Sequence, residues 1–229
     1  MGRRDVIAKI RVFGREAPDN PVLANSYSMN ALEKLEPVTL TGQFVRLEPL
    51  SAAHLPGLAA VGLDERIWSF MRYGKIQNEA DMLGWIQSML RLQAAGHDLP
   101  FAVVHLESGQ AAGATRFMDV HPQDRNLEIG GTWYGVDYQR TAVNTECKYL
   151  LLRHAFEKLG CIRVFFKTDL RNERSQRAIE RLGAVREGVM RNNIILTDGY
   201  VRSSVFYSIL VEEWPQVKAN LEARLYKQA

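Results

Sequence analysis

The sequence predicts an α/β protein of the α+β type, with a mixed, mostly antiparallel sheet of about six to seven strands flanked by helices. Segments with the alternating period of a strand and segments with helical spacing follow one another along the chain. Turn signals at Glu107–Gln110 and Thr197–Gly199 indicate hairpins, and therefore antiparallel neighbours. Strand–helix–strand units in the second half require parallel neighbours, so the sheet is expected to be mixed.

Strands are predicted where apolar and polar residues alternate, or where a short apolar run is bounded by turn residues. The alternation is clearest in the sequence QFVRLE. The predicted strands are Gln43–Glu48, Phe101–Leu106, Ala112–Val120, Leu127–Tyr134, Arg163–Thr168, Ala184–Ile195 and Ser203–Val211.

Helices are predicted where apolar residues recur at helical spacing and line mostly one face. Three of these segments are followed by glycine, a common helix stop, and the last opens with proline, which suits a first helical position. The predicted helices are Ala52–Leu63, Glu79–Ala95, a segment from the loop after Tyr138 to Leu159, Arg171–Leu182 and Pro215–Tyr226.

Residues 1–36 are interpreted as an N-terminal extension without a clean period, and residues 37–229 as a single domain. Loop-forming residues cluster between Pro18 and Ser26, and Met29 begins a segment that looks like a natural start. Three interpretations of residues 1–28 stay open. They are a poorly ordered extension, the product of an upstream start codon, or a basic arm that contacts the ribosome or RNA.

Composition excludes several classes of protein. The chain is 46% hydrophobic, which is too high for a disordered protein, and its apolar runs are too short for a membrane span. The 29 Lys and Arg against 26 Asp and Glu give a net charge of +3, so no specific nucleic-acid partner is expected.

Cys147 and Cys161 flank a predicted helix, which separates them by roughly 21 Å. We therefore expect free thiols and a cytoplasmic protein without a secretory leader. The histidines have no ligand spacing, so no metal is expected.

The most informative segment is the loop Gln139–Glu146, between the strand Leu127–Tyr134 and the helix that follows. The start of a helix leaves N–H groups unpaired and carries a partial positive charge, so it suits a phosphate. Successive loop amides can form an anion-binding nest, and the loop adds the guanidinium of Arg140 and two threonine hydroxyls. The alternative is an ordinary helix cap by Asn144 or Thr145.

Residues 127–188 resemble the GCN5-related N-acetyltransferase (GNAT) superfamily, in particular its branch of ribosomal-protein N-terminal (RimJ/RimL-like) acetyltransferases. Similar proteins have a pyrophosphate loop of the form Gln/Arg-x-x-Gly-x-Gly/Ala. Here Gln139 takes the first position, Ala142 the glycine and Asn144 the last. The segments Thr168–Ser175 and Arg181–Gly188 look like the family's strand-to-helix segment and final hairpin. A looser likeness covers the rest of the chain after the N-terminal extension.

The resemblance implies acetyl-CoA as co-substrate, bound in a V-shaped cleft that opens where the sheet splays after its fourth strand. The pyrophosphate would lie on the loop amides, and the pantetheine arm would run along Trp133–Val136, where an N–H of Trp133 or Tyr134 would polarise the thioester carbonyl. A positive φ is tolerated by asparagine but poorly by alanine, so Ala142 is a notable departure from the glycine. The implied cofactor-binding residues are Trp133, Tyr134, Val136, Gln139, Arg140, Thr141, Ala142, Val143, Asn144, Thr145, Asn172 and Ser175.

The resemblance also implies catalytic residues. Glu128 lies on the strand before the loop, where similar enzymes have a carboxylate that works through water, and we expect it to be the general base. The alternative for Glu128 is a strand-edge salt bridge. Ser175 would serve the leaving sulfur or the cofactor, and Ile179 stands where a tyrosine is often found. An α-amine, with a pKa of about 8, needs only a modest base, which slightly favours it as acceptor.

Two groups of residues complete the expected site. One of the arginines 171, 174, 177 and 181 is expected to contact the 3′-phosphate of the cofactor, and the others to form a solvated stripe. The candidate acceptor contacts are Trp68, Phe70, Arg72, Tyr73, Asn192, Asn193 and Tyr207.

The expected function is direct transfer of an acetyl group from acetyl-CoA to a primary amine in a ternary complex. The acceptor would be a protein N-terminus or a small molecule. The alternative is a non-catalytic acyl-CoA-binding or scaffold protein of the same fold. The oligomeric state stays open, a homodimer included.

Overall fold

An eight-stranded mixed sheet is the centre of the fold. The structure, a computed structural model, describes Leu32 and residues 34–226. The strands lie in the order β1-β2-β3-β4-β5-β6-β8-β7, and the one parallel pair among the described strands is β5 with β6. The strands are β1 (Leu40–Thr41), β2 (Val45–Pro49), β3 (Leu99–His105), β4 (Ala111–His121), β5 (Asn126–Tyr134), β6 (Arg163–Asp169), β7 (Val185–Ile195) and β8 (Val201–Leu210).

Helices cover both faces of this sheet. In the part of the chain that the structure describes, none of them is long and apolar enough to cross a membrane. Short 3-10 turns at Ala52–His54 and Val136–Tyr138 precede α1 and α4. The helices are α1 (Leu55–Gly62), α2 (Glu65–Trp68), α3 (Glu79–Ala94), α4 (Ala142–Glu157), α5 (Glu173–Glu180) and α6 (Trp214–Tyr226).

Two hydrophobic clusters hold the helices against opposite faces of the sheet. Successive strand residues point to opposite faces, and along β3 Phe101 and Val103 pack in the cluster with α4 and α6. Ala102, between them, packs in the cluster with α1 and α3. The α4 residues Leu150, Leu151 and Leu152 are almost fully buried, so α4 is a central packing element of the domain.

The sheet splays between its two parallel strands. β5 and β6 pair only from Asn126 to Glu128 on one strand and from Arg163 to Phe165 on the other, although both strands continue further. The predicted V-shaped opening after the fourth expected strand is therefore confirmed, and that strand is β5. The separation of these two strands places the carboxyl ends of β5 and β6 on the two sides of a cleft.

The sequence prediction missed two elements and shifted others. β1 was not predicted because two residues carry no readable period, and α2 is a single helical turn. α5 begins at Glu173 rather than Arg171, because Asn172 caps it by accepting a hydrogen bond from the Ser175 amide. Both cysteines are free and buried, as expected. The interpretations of residues 1–28 lie outside the described residues.

Candidate active site

The cleft between β5 and β6 has a volume of about 330 Å³, within the usual range of small-molecule sites. Its walls are the residues Ile129–Tyr134 of β5 and Phe166–Thr168 of β6. The start of α4, the buried side of α5 and the chain segment around Phe70–Tyr73 close the remaining sides. Four secondary-structure elements and the segment around Phe70–Tyr73 therefore converge on one opening.

The start of α4 presents unpaired amides to this cleft. The Thr141 hydroxyl caps the helix by accepting a hydrogen bond from the Val143 N–H at 3.3 Å. The geometry of a helix start leaves the N–H groups of Thr141, Ala142 and Asn144 without an acceptor within the helix. The side chains of Asn144 and Thr145 line the cleft beside them. This arrangement suits an anionic group.

The expected loop is shorter in the structure than in the sequence prediction. Residues 142–145 form the first turn of α4, so the loop proper ends at Thr141. The alternative cap by Asn144 or Thr145 is wrong, because Thr141 is the N-cap. The left-handed residue is Arg140, with φ of 63°, whereas Ala142 lies in the helix. Alanine in place of the family's glycine therefore causes no backbone strain here.

The expected cofactor-binding residues divide into two groups. Trp133, Tyr134, Gln139 and the cleft-lining residues at the start of α4 surround the opening. Val136 is exposed in a 3-10 turn and does not line the cleft, nor do Ala142 and Val143. The Val143 side chain packs in the core. Neither side chain therefore lines the cleft, and any contact of Ala142 with a ligand is limited to its backbone N–H, which has no acceptor within the helix.

Gln139 joins two walls of the cleft. Its Nε2 donates to the Tyr134 carbonyl oxygen at 3.0 Å, and its Oε1 accepts from Nη1 of Arg174 on α5 at 2.8 Å. Its side chain thus ties the end of β5 to the first turn of α5. A ligand that paired with the Tyr134 carbonyl would replace the first of these hydrogen bonds.

A β-bulge sets the direction of the amides at the end of β5. Arg116 faces Gly130 and Ala114 faces Trp133, so β5 contains one extra residue between these pairs. Gly131, at φ of 57°, lies in the bulge. Beyond it, the Gly135 N–H donates to Ala112 of β4 at 2.9 Å. Because N–H groups alternate along a strand, the Tyr134 N–H points away from β4, towards the side where pairing with β6 has ended.

Glu128 is a buried carboxylate in the same cleft, at 2% exposure. Its Oε2 lies 2.7 Å from Nζ of Lys167, which is also 3.5 Å from a carboxylate oxygen of Asp119. Burial raises the pKa of Glu128, and the neighbouring Lys167 opposes that rise. The salt bridge proposed as the alternative for Glu128 is present, and it lies inside the cleft rather than at a solvated strand edge.

α5 contributes both polar and basic groups. Asn172 and Ser175 line the cleft, and the Asn172 Oδ1 is occupied by the Ser175 amide at 3.1 Å. Among the four arginines of the predicted stripe, Arg174 and Arg181 line the cleft. The other two form ion pairs elsewhere, with Asp169 and with Glu173.

The expected acceptor contacts are only partly brought together. Phe70, Arg72 and Tyr73 line the cleft. Trp68 is buried behind the cleft, and its ring centroid lies 5.1 Å from the ring centroid of Trp133. Asn192, Asn193 and Tyr207 do not line it. Tyr207 lies on the other face of β8, fully buried, where its hydroxyl bonds Glu180, because odd-numbered residues of that strand face the core.

The cleft residues that sequence reasoning missed include three buried cations, Arg116, Lys148 and Arg202. Lys148 donates from Nζ to the hydroxyl of Thr132 at 2.6 Å, and burial lowers its pKa to about 8. Arg116 and Arg202 are also buried and line the same opening. The alternation of β4 and β8 could have placed the two arginines on one face of the sheet. No local sequence signal distinguishes Lys148 from a solvated helix lysine.

Comparison with known proteins identifies this architecture. Residues 45–185 match the model of the acetyltransferase (GNAT) domain. A solved acetyltransferase structure from T. thermophilus is 43% identical to this chain, covers 84% of it and 99% of its own chain, and superposes with a TM-score of 0.77.

Two further similar proteins carry ribosomal or RimJ names. A Bacillus subtilis (strain 168) protein named ribosomal N-acetyltransferase YdaF is 29% identical over 109 residues, which are 48% of this chain and 58% of that protein. The structure of Mycobacterium smegmatis RimJ in complex with CoA-disulfide shares the fold, with a TM-score of 0.70, 20% identity, and coverage of 82% of this chain and 95% of that chain.

Proposed function

The chain belongs to the acetyltransferase (GNAT) family, and we propose that it transfers the acetyl group of acetyl-CoA directly to a primary amine in a ternary complex. The acceptor is a protein N-terminal α-amine or the amine of a small molecule. The observation that carries the proposal is the convergence of unpaired α4 amides and the buried Glu128 on the one cleft where β5 and β6 separate.

The residues of the cleft fit the parts of acetyl-CoA. In our proposal the pyrophosphate accepts hydrogen bonds from the amides of Thr141, Ala142 and Asn144, and Arg140 adds positive charge. Arg174 or Arg181 binds a phosphate at the α5 side of the opening. The RimJ structure of the same fold, which contains CoA-disulfide, supports a CoA ligand.

The acetyl group then lies beside the end of β5. We assign the Tyr134 N–H, which points away from β4, as the donor to the thioester carbonyl oxygen. The Asn172 side chain retains its Nδ2 group for the pantetheine arm, since its Oδ1 caps α5. We assign the Ser175 hydroxyl to the leaving sulfur, and its position on the same wall of the cleft supports that role.

Glu128 completes the reaction. The neutral amine nitrogen forms a bond to the carbonyl carbon, the carbon–sulfur bond breaks, and CoA leaves as a thiolate that takes up a proton from solvent. The carboxylate of Glu128 accepts the proton that the amine loses, directly or through a water molecule. The raised pKa that burial gives Glu128 makes it a stronger base, and the positive charge of Lys167 favours its ionised form.

The proposal is tested by following free thiol while acetyl-CoA is mixed with a panel of α-amines and small primary amines. We expect thiol release that depends on both the enzyme and the acceptor, and a ternary complex requires that both substrates bind before the first product leaves. Binding of acetyl-CoA without turnover of any amine would contradict the proposal and favour a non-catalytic acyl-CoA-binding protein.

Two buried thiols agree with our placement of the enzyme in the cytoplasm.

A further inference from the structure

Arg202 is a buried cation in the cleft that forms no salt bridge among the described residues. It lies on β8 at 7% exposure. Its Nε donates to the Ser204 hydroxyl at 3.0 Å and its Nη1 to the Phe70 carbonyl oxygen at 3.4 Å. No carboxylate of the described residues lies within 4.0 Å of its guanidinium. Its Nη2 is therefore left for a ligand.

The neighbouring cations on this wall are already paired. Lys167 pairs with Glu128, and Nη1 of Arg116 lies 2.9 Å from a carboxylate oxygen of Asp98. Arg72, exposed at the rim of the cleft, has no acidic partner within 4.0 Å in the described part of the chain. Lys148, on the α4 side of the cleft, donates to the hydroxyl of Thr132. On the acceptor side, Arg202 and Arg72 are therefore the described cations that remain without a salt bridge.

Burial of a charge without a partner is costly, and it is tolerated best where a ligand supplies the opposite charge. Burial lowers the pKa of Arg202, which reflects that cost, and the more distant charges of Asp169 and Glu128 oppose the shift without forming a salt bridge. A guanidinium stays protonated near neutral pH. The hydrogen bonds to Ser204 and Phe70 fix the guanidinium in place before any ligand arrives. A fixed, desolvated guanidinium facing a cleft is a recognition group for a carboxylate.

We infer that the amine acceptor carries a carboxylate, which Arg202 binds through Nη2 while Arg72 adds charge at the rim and Glu128 faces the amine. This inference rests on the proposed acetyl transfer and names the class of its second substrate. The carboxylate belongs either to a free amino acid or to an acidic residue next to the N-terminus of a peptide. Both sources present the same chemistry to Arg202.

The test compares matched acceptors that differ only in the carboxylate. One arm uses a free amino acid, its primary amide and the corresponding decarboxylated amine, with rates expressed per neutral amine. The other uses the dipeptide amides Ala-Asp and Ala-Asn. We expect kcat/KM to be at least about tenfold higher for the carboxylate member, since a hydrogen bond to a charged group has about that effect. The arm with the larger preference identifies the source.

Arg202→Gln is expected to lower kcat/KM at least about tenfold more for the carboxylate acceptors than for the neutral ones, which removes the preference. Arg91→Gln, on the exposed surface of α3, is the matched control and should keep the preference. Should Arg202→Gln fail to fold in a thermal unfolding experiment, Arg202→Lys retains the charge without the fixed fork and should show a reduced preference.

Equal use of neutral and carboxylate acceptors would overturn the inference, as would an equal loss for both in Arg202→Gln. Turnover restricted to amines without a carboxylate would also overturn it. These outcomes leave the proposed acetyl transfer intact. Failure of that transfer would instead appear as no thiol release with any acceptor.

Discussion

Glu128→Gln is expected to lower kcat by about a hundredfold to ten-thousandfold, the usual contribution of a positioned general base. Glutamine has nearly the shape of glutamate, so the buried site stays filled. Lys167 keeps a second carboxylate, that of Asp119, 3.5 Å away, which limits the structural cost of the exchange. The measurement is the steady-state rate of thiol release, with calorimetry of acetyl-CoA binding on the same protein.

The binding measurement separates catalysis from cofactor affinity. Acetyl-CoA should bind Glu128→Gln with nearly wild-type affinity, because we assign Glu128 no contact with the cofactor. Lys167→Met is the informative companion. Since Lys167 opposes the rise in the pKa of Glu128, its removal should move the acid limb of the kcat profile to higher pH. Wild-type kcat in Glu128→Gln would show that another group accepts the proton.

Glu146→Ala is expected to lower the free energy of unfolding by about 3–5 kcal/mol, the usual cost of breaking a buried charged network. Glu146 is fully buried on α4. Its carboxylate accepts hydrogen bonds from the N–H groups of Gln43, Phe44 and Val45 at 2.7–2.8 Å. In the Glu146→Ala variant, these three N–H donors would lose their charged acceptor together.

Further contacts show how closely this carboxylate is enclosed. The Tyr226 hydroxyl donates to it at 2.9 Å, so it also ties the last turn of α6 to α4. A Cβ at Gly42 would collide with the carboxyl group, which explains glycine at the β1–β2 turn. Denaturant unfolding measures the loss. Glu157→Gln, at the other end of α4 and partly exposed beside Lys218, is the matched control and should change stability by less than about 1 kcal/mol. Equal stability of Glu146→Ala and wild type would contradict this role.

The fold could be predicted from the sequence because its strands are long enough to show their period. Strands such as Arg163–Thr168 and helices such as Glu79–Ala95 lie within a residue or two of the observed bounds. The cleft was predicted from the family resemblance alone, because no sequence periodicity indicates that two parallel strands separate after three residue pairs. The short β1 and α2 carry too few residues for any pattern.

The details of the site depend on contacts that sequence spacing does not contain. Glu146 was included at the end of the phosphate loop, but the backbone amides that it binds lie 101–103 residues away, so its structural role is a tertiary property. Arg140 adopts the left-handed conformation that favours glycine, and no local propensity would have selected it. Arg202 could not be selected from the sequence, because its lack of a salt bridge among the described residues is visible only in the folded structure.

In our proposal, amides at the start of α4 and at the end of β5 hold acetyl-CoA. Amide hydrogen exchange, measured by mass spectrometry with and without saturating acetyl-CoA, tests it most directly. In the free protein the first amides of a helix have no internal acceptor and exchange quickly. We predict that acetyl-CoA slows exchange most in peptides covering residues 130–135 and 139–146. Unchanged exchange in both segments at saturating ligand would contradict the account.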